Sequence, residues 1–237
     1  MTPLEYLKKY GNPSKENIKR LENEPVQYIV GNVSFYGNII NVDKRVLIPR
    51  FETEELVEQT TEYIKKFFTE PVDIIDLGCG SGVIGLTLEQ KVFTNSVDLI
   101  DISEKALEVT KVNKEKLNSK ASLIQSDMFE NINKKYDVII SNPPYIKTTE
   151  EIEDIVLNNE PHLALFAGVD GLDCYKKIIN SLPNHMKDKC LIAFEIGMTQ
   201  AGNITNLAKE VLGNIKVEVK KDLSGKDRML FIFKNLE

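Results

Sequence analysis

The chain has 237 residues, 42% of them hydrophobic and 28% charged, with a formal net charge of −6. That length accommodates one large α/β domain, or a domain with a small appendage, and is ample for a buried core. The acidic balance argues against a general phosphate-backbone binder, which needs Lys and Arg clustered on one face. No apolar run approaches the ~18 residues that suggest a membrane span, and Met1-Thr2-Pro3-Leu4-Glu5 lacks the apolar core of a signal peptide. A cytoplasmic protein is expected, with no membrane partner.

In chain order, residues 1–24 carry apolar positions at Leu4, Leu7, Ile18 and Leu21, which suit one or two short helices. Gln27 to Val42 alternates around Gly31 and Gly37 and reads as a β-hairpin. Phe51 to Phe68 is a stronger helical pattern, with Thr53, Glu54 and Glu55 at its start and Leu56, Val57, Ile64 and Phe67 on its apolar side. From residue 72 short apolar runs alternate with helical patterns, the mark of strands joined by crossover helices. The strands are Val72–Leu77, Val97–Asp101, Ala121–Gln125, Tyr136–Ser141, Cys190–Glu195, Lys216–Lys220 and Met229–Phe233. Between them lie helices over Val83–Gln90, Ser103–Leu117 with Ser103 as N-cap, Leu172–Leu182, and Thr199–Leu212 closed by Gly213. Asp222 to Arg228 suits a tight connection, so the last two strands are expected to form an antiparallel hairpin.

Several features read as structural. Lys111, Lys114, Lys116 and Lys120 alternate with Glu108 and Glu115 and mark a solvated helix face. Cys79, Cys174 and Cys190 form no CxxC and have only His162 and His185 for company, so no metal site is expected and the cysteines read as small buried hydrophobes. Asp98 lies near the middle of its strand and reads as an edge or structural group.

Two motifs carry chemistry. The first is the loop Asp76-Leu77-Gly78-Cys79-Gly80-Ser81-Gly82, in which glycine lets backbone approach a ligand and the following helix N-terminus offers free N–H groups. Its GxGxG spacing departs from the dinucleotide pattern GxGxxG, which fits only through Gly80, Gly82 and Gly85 and would put the third glycine inside the helix. A loop holding the amino-acid part of S-adenosylmethionine fits better. Alone it is weak evidence, but Asp101 ends the second strand, where a carboxylate accepts from both ribose hydroxyls; its alternative is to cap the helix after Ser103. Asp127 and Met128 follow the third strand, at the end of the sheet where adenine would lie, Asp127 or a backbone amide meeting its polar rim.

The second motif is Asn142-Pro143-Pro144-Tyr145, directly after the strand Tyr136–Ser141. An amide nitrogen is a poor nucleophile until its orientation is fixed and its developing charge dispersed. The Asn142 side-chain oxygen and the Pro143 carbonyl can take its two protons, with the Tyr145 ring packing on the planar group. Two prolines restrict the backbone, and Pro143 forces Asn142 out of the helical region. A bland strand-capping loop is the competing reading. No general base is needed or evident.

With these residues the chain closely resembles the bacterial release factor glutamine methyltransferases, which methylate the side-chain amide of the Gln in the Gly-Gly-Gln motif of peptide chain release factors. The likeness runs from about residue 24 to 232. It includes Glu24-Pro25-Val26-Gln27-Tyr28-Ile29, Phe35-Tyr36-Gly37, Val46-Leu47-Ile48-Pro49-Arg50, Glu52-Thr53-Glu54, Asp76 to Gly82 and Asp101-Ile102-Ser103. It continues through Ser141 to Ile146, Glu160-Pro161, Asp170-Gly171-Leu172 and Asp227-Arg228. The resemblance implies a Rossmann-like class I S-adenosylmethionine-dependent methyltransferase, α/β, with a mainly parallel seven-stranded sheet whose last strand is antiparallel. It implies donor contacts at Gly78, Cys79, Gly80, Ser81, Gly82, Asp101, Met128 and Asn142. Substrate glutamine would be held by Asn142, Pro143, Pro144 and Tyr145, with Asn142, Pro143 and Tyr145 as the catalytic set.

The expected divisions are a short helical stretch at 1–24, a hairpin at 25–48 and a methyltransferase domain at 49–237. Phe51 stands where the family has the middle proline of a Pro-Arg-Pro-Glu-Thr-Glu segment lining the donor pocket, and Met128 where a bulkier aromatic is common. The family normally carries a helical domain before Glu24, so a reduced partner-docking surface is expected. Rival readings are glutamine methylation of a ribosomal protein, adenine-N6 methylation of a flipped base, and a donor-binding scaffold without turnover. The acidic balance disfavours nucleic acid, and the intact acceptor motif disfavours the scaffold.

Overall fold

The computed structural model describes residues 1–236. Three short helices open it: α1 (Pro3–Tyr10), α2 (Lys15–Arg20) and α3 (Val26–Val30). A capping box starts α1, the Thr2 hydroxyl accepting from the Glu5 N–H while the Glu5 carboxylate accepts from the Thr2 N–H. An antiparallel hairpin follows, β1 (Asn32–Phe35) and β2 (Asn38–Asn41). It is shorter than the sequence pattern suggests: Gln27 to Val30 are helical, closed by Gly31 at φ 81°. A five-residue helix has no room to show a 3.6-residue period, and its β-branched valines and isoleucine imitate a strand.

The remainder is a doubly wound α/β unit. Its elements are α4 (Phe51–Phe67), β3 (Val72–Leu77), α5 (Val83–Lys91), β4 (Thr94–Asp101), α6 (Glu104–Lys116), β5 (Ser122–Gln125), β6 (Tyr136–Ser141), α7 (Asp154–Leu157), α8 (Asp173–His185), β7 (Met186–Glu195), α9 (Ala201–Leu212), β8 (Lys216–Lys221) and β9 (Asp227–Lys234). The seven-stranded sheet has the order β5-β4-β3-β6-β7-β9-β8, and β9 runs against both its neighbours. The β8–β9 hairpin and the antiparallel last strand are therefore as expected.

Both faces of the sheet are covered, which is why β3 reads as one apolar run. On one face Ile74, Val138 and Leu191 pack under α4, α5 and α6 through Leu56, Val57, Ile84, Leu88 and Val109. On the other Ile75, Ile139 and Ile192 meet α8 and α9 through Tyr175, Ile178, Leu182, Ile204 and Ala208. Two strands start earlier than their apolar cores. β4 begins at Thr94 and β7 at Met186, and Lys187 in that polar extension is 2.6 Å from Asp73 and 2.7 Å from Asp137.

The order of the sheet locates the site. From β3 the chain steps outward to β4 and β5, then returns to place β6 on the other side of β3. At such a reversal the connections leave in opposite directions and open a crevice at the carboxyl ends of the two strands. The glycine loop leaves β3 there, and the Asn142 loop leaves β6 beside it.

Candidate active site

A cleft of about 610 Å³ lies over these strand ends, and Gly78, Cys79, Gly80, Ser81, Asp101, Met128, Asn142 and Pro144 are among its lining residues. Gly82, Pro143 and Tyr145 are not among them, and Pro143 is buried. The Ser141 hydroxyl donates to the Leu77 carbonyl at 2.6 Å, tying the two loop bases together.

The glycine loop is a rigid cradle. Gly78 and Gly80 have φ of 71° and 55°, and a Cβ on either would meet no atom within 4 Å, so both face open space rather than packed chain. Cys79 N–H donates to the Ile100 carbonyl at 2.8 Å, Thr110 Oγ1 donates to the Gly80 carbonyl at 2.7 Å, and Asn113 Nδ2 donates to the Ser81 carbonyl at 2.9 Å. The Cys79 thiol is buried against Thr110, and that burial pushes its pKa well up, so it is no nucleophile.

Asp101 makes the helix-start contact given above as its alternative role, and it faces the cleft. Its Oδ1 accepts from the Ser103 N–H at 2.8 Å and its Oδ2 from the Gly80 N–H at 2.9 Å, so it starts α6 and braces the loop. It still lines the cleft with lone pairs to spare for hydroxyl donors. Burial raises its pKa, opposed by the backbone N–H groups. Met128 sits at φ 51°, an uncommon conformation for a non-glycine residue, and lines the end of the cleft beside Ser126 and Asp127. The Asp127 carboxylate is paired with Lys177 at 2.5 Å. Asp98 accepts from Tyr136 Oη at 2.9 Å and from Lys134 at 3.3 Å, a structural group as expected.

The cradle thus fits a donor with an amino-acid end, a vicinal diol and a flat apolar base: open glycine backbone, a carboxylate and a thioether follow one another along the cleft.

The acceptor loop is held from several sides. Asn142 Nδ2 donates to Thr53 Oγ1 at 3.2 Å. Among the described residues no donor reaches Asn142 Oδ1 or the Pro143 carbonyl. Gln200 Nε2 donates to the carbonyls of Tyr145 and Gly171, each at 3.0 Å, and Gln200 Oε1 accepts from the Gly197 N–H at 2.9 Å. A Cβ on Gly171 would lie 2.4 Å from the Tyr145 carbonyl oxygen, so glycine is required for this approach. Tyr145 Oη donates toward Glu195 Oε1 at 3.4 Å.

Three residues of this surround had no role in the sequence reading. Thr53 looked like part of a helix start; it is buried, donates to Glu195 Oε2 at 2.6 Å and lines the cleft. Glu195 and Gln200 follow from no local spacing. The signal available was an acid closing the apolar strand Leu191–Phe194, a position that demands a partner. Of the Pro-Arg segment, Pro49 lines the cleft, whereas Arg50 turns to Glu160 at 2.5 Å and Phe51 is exposed.

Comparison with known proteins agrees with this geometry. The family described as Methyltransferase small domain matches residues 51–162. The release factor glutamine methyltransferase of Bacillus subtilis is 42% identical over 216 residues, covering 88% of this chain and 75% of its own length. That of Streptococcus pneumoniae is 42% identical over 213 residues, covering 89% and 75%. Among solved structures, the release factor-specific protein-(glutamine-N5) methyltransferase of Alicyclobacillus acidocaldarius superposes with a TM-score of 0.50 at 25% identity, over 79% of this chain and 94% of that one. On that identity and coverage the chain belongs to the release factor glutamine methyltransferase family.

Proposed function

We propose that the protein transfers a methyl group from S-adenosyl-L-methionine to the side-chain amide nitrogen of the glutamine in the Gly-Gly-Gln motif of peptide chain release factors. The observation that carries this reading is Asn142 at the cleft wall with its Oδ1 free of any donor, next to a Pro143 carbonyl that is likewise unengaged, one strand away from a glycine cradle. When bound, the donor supplies an electrophilic methyl group on a sulfonium, leaving S-adenosyl-L-homocysteine.

The chain's own residues do the rest. Gly78, Cys79, Gly80, Ser81 and Gly82 form the cradle for the amino-acid end, Asp101 accepts from the ribose hydroxyls, and Met128 edges the adenine. Asn142 Oδ1 and the Pro143 carbonyl accept from the two N–H bonds of the substrate amide. This fixes the nitrogen and spreads the positive charge that grows on it during transfer. Pro143 and Pro144 keep those acceptors from relaxing, and Tyr145, anchored through its hydroxyl and its carbonyl, backs the planar group. The proton leaves after transfer, so no base of matched pKa is needed.

The deciding experiment is methyl transfer from labelled donor to a purified release factor, beside the same factor with its Gly-Gly-Gln glutamine changed to alanine, and beside duplex DNA. Label on the unaltered factor alone is expected. Label on DNA would overturn the protein-substrate reading, and label on the altered factor would overturn the site. Asn142→Ala is expected to lower kcat by roughly a hundredfold or more while donor binding stays measurable; undiminished turnover in that variant would refute the role given to Asn142.

A further inference from the structure

Asn142, Thr53 and Glu195 form a chain of hydrogen bonds behind the acceptor pair. Asn142 Nδ2 lies 3.2 Å from Thr53 Oγ1, which lies 2.6 Å from Glu195 Oε2, and Tyr145 Oη lies 3.4 Å from the other oxygen of the same carboxylate. Glu195 and Thr53 are both buried, so neither has water to satisfy it. A carboxamide is symmetric in shape but not in chemistry. Turned one way Asn142 offers an acceptor to the cleft, turned the other it offers a donor, which would repel an amide N–H.

We propose that Glu195 is a positioning residue for the transfer: its ionised carboxylate, able only to accept, receives the hydrogen bond that the Thr53 hydroxyl donates, and Thr53 in turn can only accept from Asn142 Nδ2, which leaves Asn142 Oδ1 facing the substrate amide. The inference rests on the reading of Asn142 as the amide acceptor.

The polarity of the chain is set by the carboxylate and is lost when it takes a proton. Protonated Glu195 is able to donate to Thr53, whose hydroxyl is then free to donate to Asn142 and reverse the carboxamide. The groups facing Glu195 are Thr53 and Glu52 from α4, Tyr145 from the acceptor loop, Arg228 from β9, and Tyr175 from α8, whose hydroxyl donates to the Glu195 main-chain carbonyl at 2.7 Å. Burial is the largest influence and Glu52 adds to it, while Thr53, Arg228 and Tyr145 oppose them; the balance pushes the carboxyl up to about 7. Ionised and protonated forms therefore both exist near neutral pH.

The test compares wild type with Thr53→Val, Thr53→Ser, Glu195→Gln and Asn142→Ala, measuring kcat and KM for labelled methyl transfer to the release factor across pH, with donor affinity measured separately by calorimetry. Thr53→Val is expected to lower kcat about tenfold or more with donor affinity within about threefold, and Thr53→Ser to restore it. Wild-type kcat should rise with pH through the range where Glu195 ionises. Glu195→Gln, which presents oxygen or nitrogen to Thr53 equally well, should be slower and lose that rise. A second readout needs no turnover: the side-chain amide proton signals of Asn142, identified by their loss in Asn142→Ala, should shift over the same pH range in wild type and stay fixed in Glu195→Gln.

Full kcat in both Thr53→Val and Glu195→Gln, with Asn142→Ala inactive, would overturn the relay and leave the site reading standing. Full kcat in Asn142→Ala would overturn both. Loss confined to KM in Thr53→Val would also overturn the relay, because orientation of the acceptor acts in the transition state.

Discussion

At the scale of single residues, burial decides what each acid does. Asp76, the next-to-last residue of β3, has no exposed surface; its Oδ2 accepts from the Gly85 N–H at 2.9 Å and its Oδ1 has no partner among the described residues. Burial pushes its carboxyl up to about 7, against an unfolded value of about 3.9. The folded chain thus binds more protons than the unfolded one between those values. The stabilising share of Asp76 is complete below the unfolded pKa and is lost as pH rises through about 7. Glu195 contributes a slope of the same sign. Asp76→Asn keeps an acceptor for Gly85 and removes its own share, so its urea midpoint should fall less than that of wild type between about pH 5 and about pH 8. An equal fall in both would show that Asp76 does not titrate in the folded chain. None of this was legible from local sequence, because a carboxylate in a glycine-loop motif looks the same whether it faces a ligand or a neighbouring helix. A Cβ at Gly85 would lie 2.2 Å from Leu99 and 3.2 Å from Asp76 Oδ2, so glycine there lets the helix come close enough for its N–H to reach the inward Asp76 carboxylate.

At the scale of elements, the parts that read correctly are those whose pattern is set by burial, all round for β3, β6 and most of α5, and along one face for α6. The parts that differed are set by contacts distant in sequence. Helix α3 is stabilised by packing of Val26 and Tyr28, with Tyr28 Oη donating to the Val46 carbonyl at 2.6 Å, and not by propensity. Helix α8 runs three residues past Leu182 and through Pro183 to His185, whose ring nitrogens lie 2.8 and 3.0 Å from the Ser181 and Ile132 carbonyls, so that whichever nitrogen carries the proton has an acceptor. The donor cradle was visible as letters, but its bracing was not. Asn113 of α6 donates to the carbonyls of Asn41 and Ser81, each at 2.9 Å, and accepts from the Asn41 N–H at 2.7 Å, so one buried amide joins the β1–β2 hairpin to the glycine loop. Asn113→Ala leaves three main-chain groups without their partner and should cost about 2 to 4 kcal/mol. Its donor affinity should fall with it; chemical denaturation and calorimetry check the two halves of this expectation separately.

At the scale of the whole molecule, the net charge of −6 is accompanied by pairing of part of the cations. Arg45 meets Asp43 and Glu108, Lys176 meets Asp170, Lys177 meets Asp127 and Glu130, and Lys187 meets Asp73 and Asp137. The pairs at Arg45, Lys176 and Lys177 are exposed and add little to stability, whereas Asp73 and Asp137 beside Lys187 are mostly buried; all of them neutralise charge that a phosphate backbone would need. Duplex DNA at low ionic strength is accordingly expected to migrate unretarded with this protein in a gel, and a retarded band that fades with salt would contradict that. No helix among the described residues is long and apolar enough to cross a membrane.

The reversal in strand order also divides the labour of the chain. Apart from Asn142, the residues assigned to the donor fall at three places, Gly78 to Gly82, Asp101 and Met128, all ahead of the acceptor loop, whereas those that grip or orient the acceptor come from Asn142 onward, joined by Thr53. The two inventories meet along a single ladder, where the Ser141 hydroxyl rests on the Leu77 carbonyl. A lineage built this way can exchange what is methylated by rewriting its second half, while the first half goes on recognising the same small molecule.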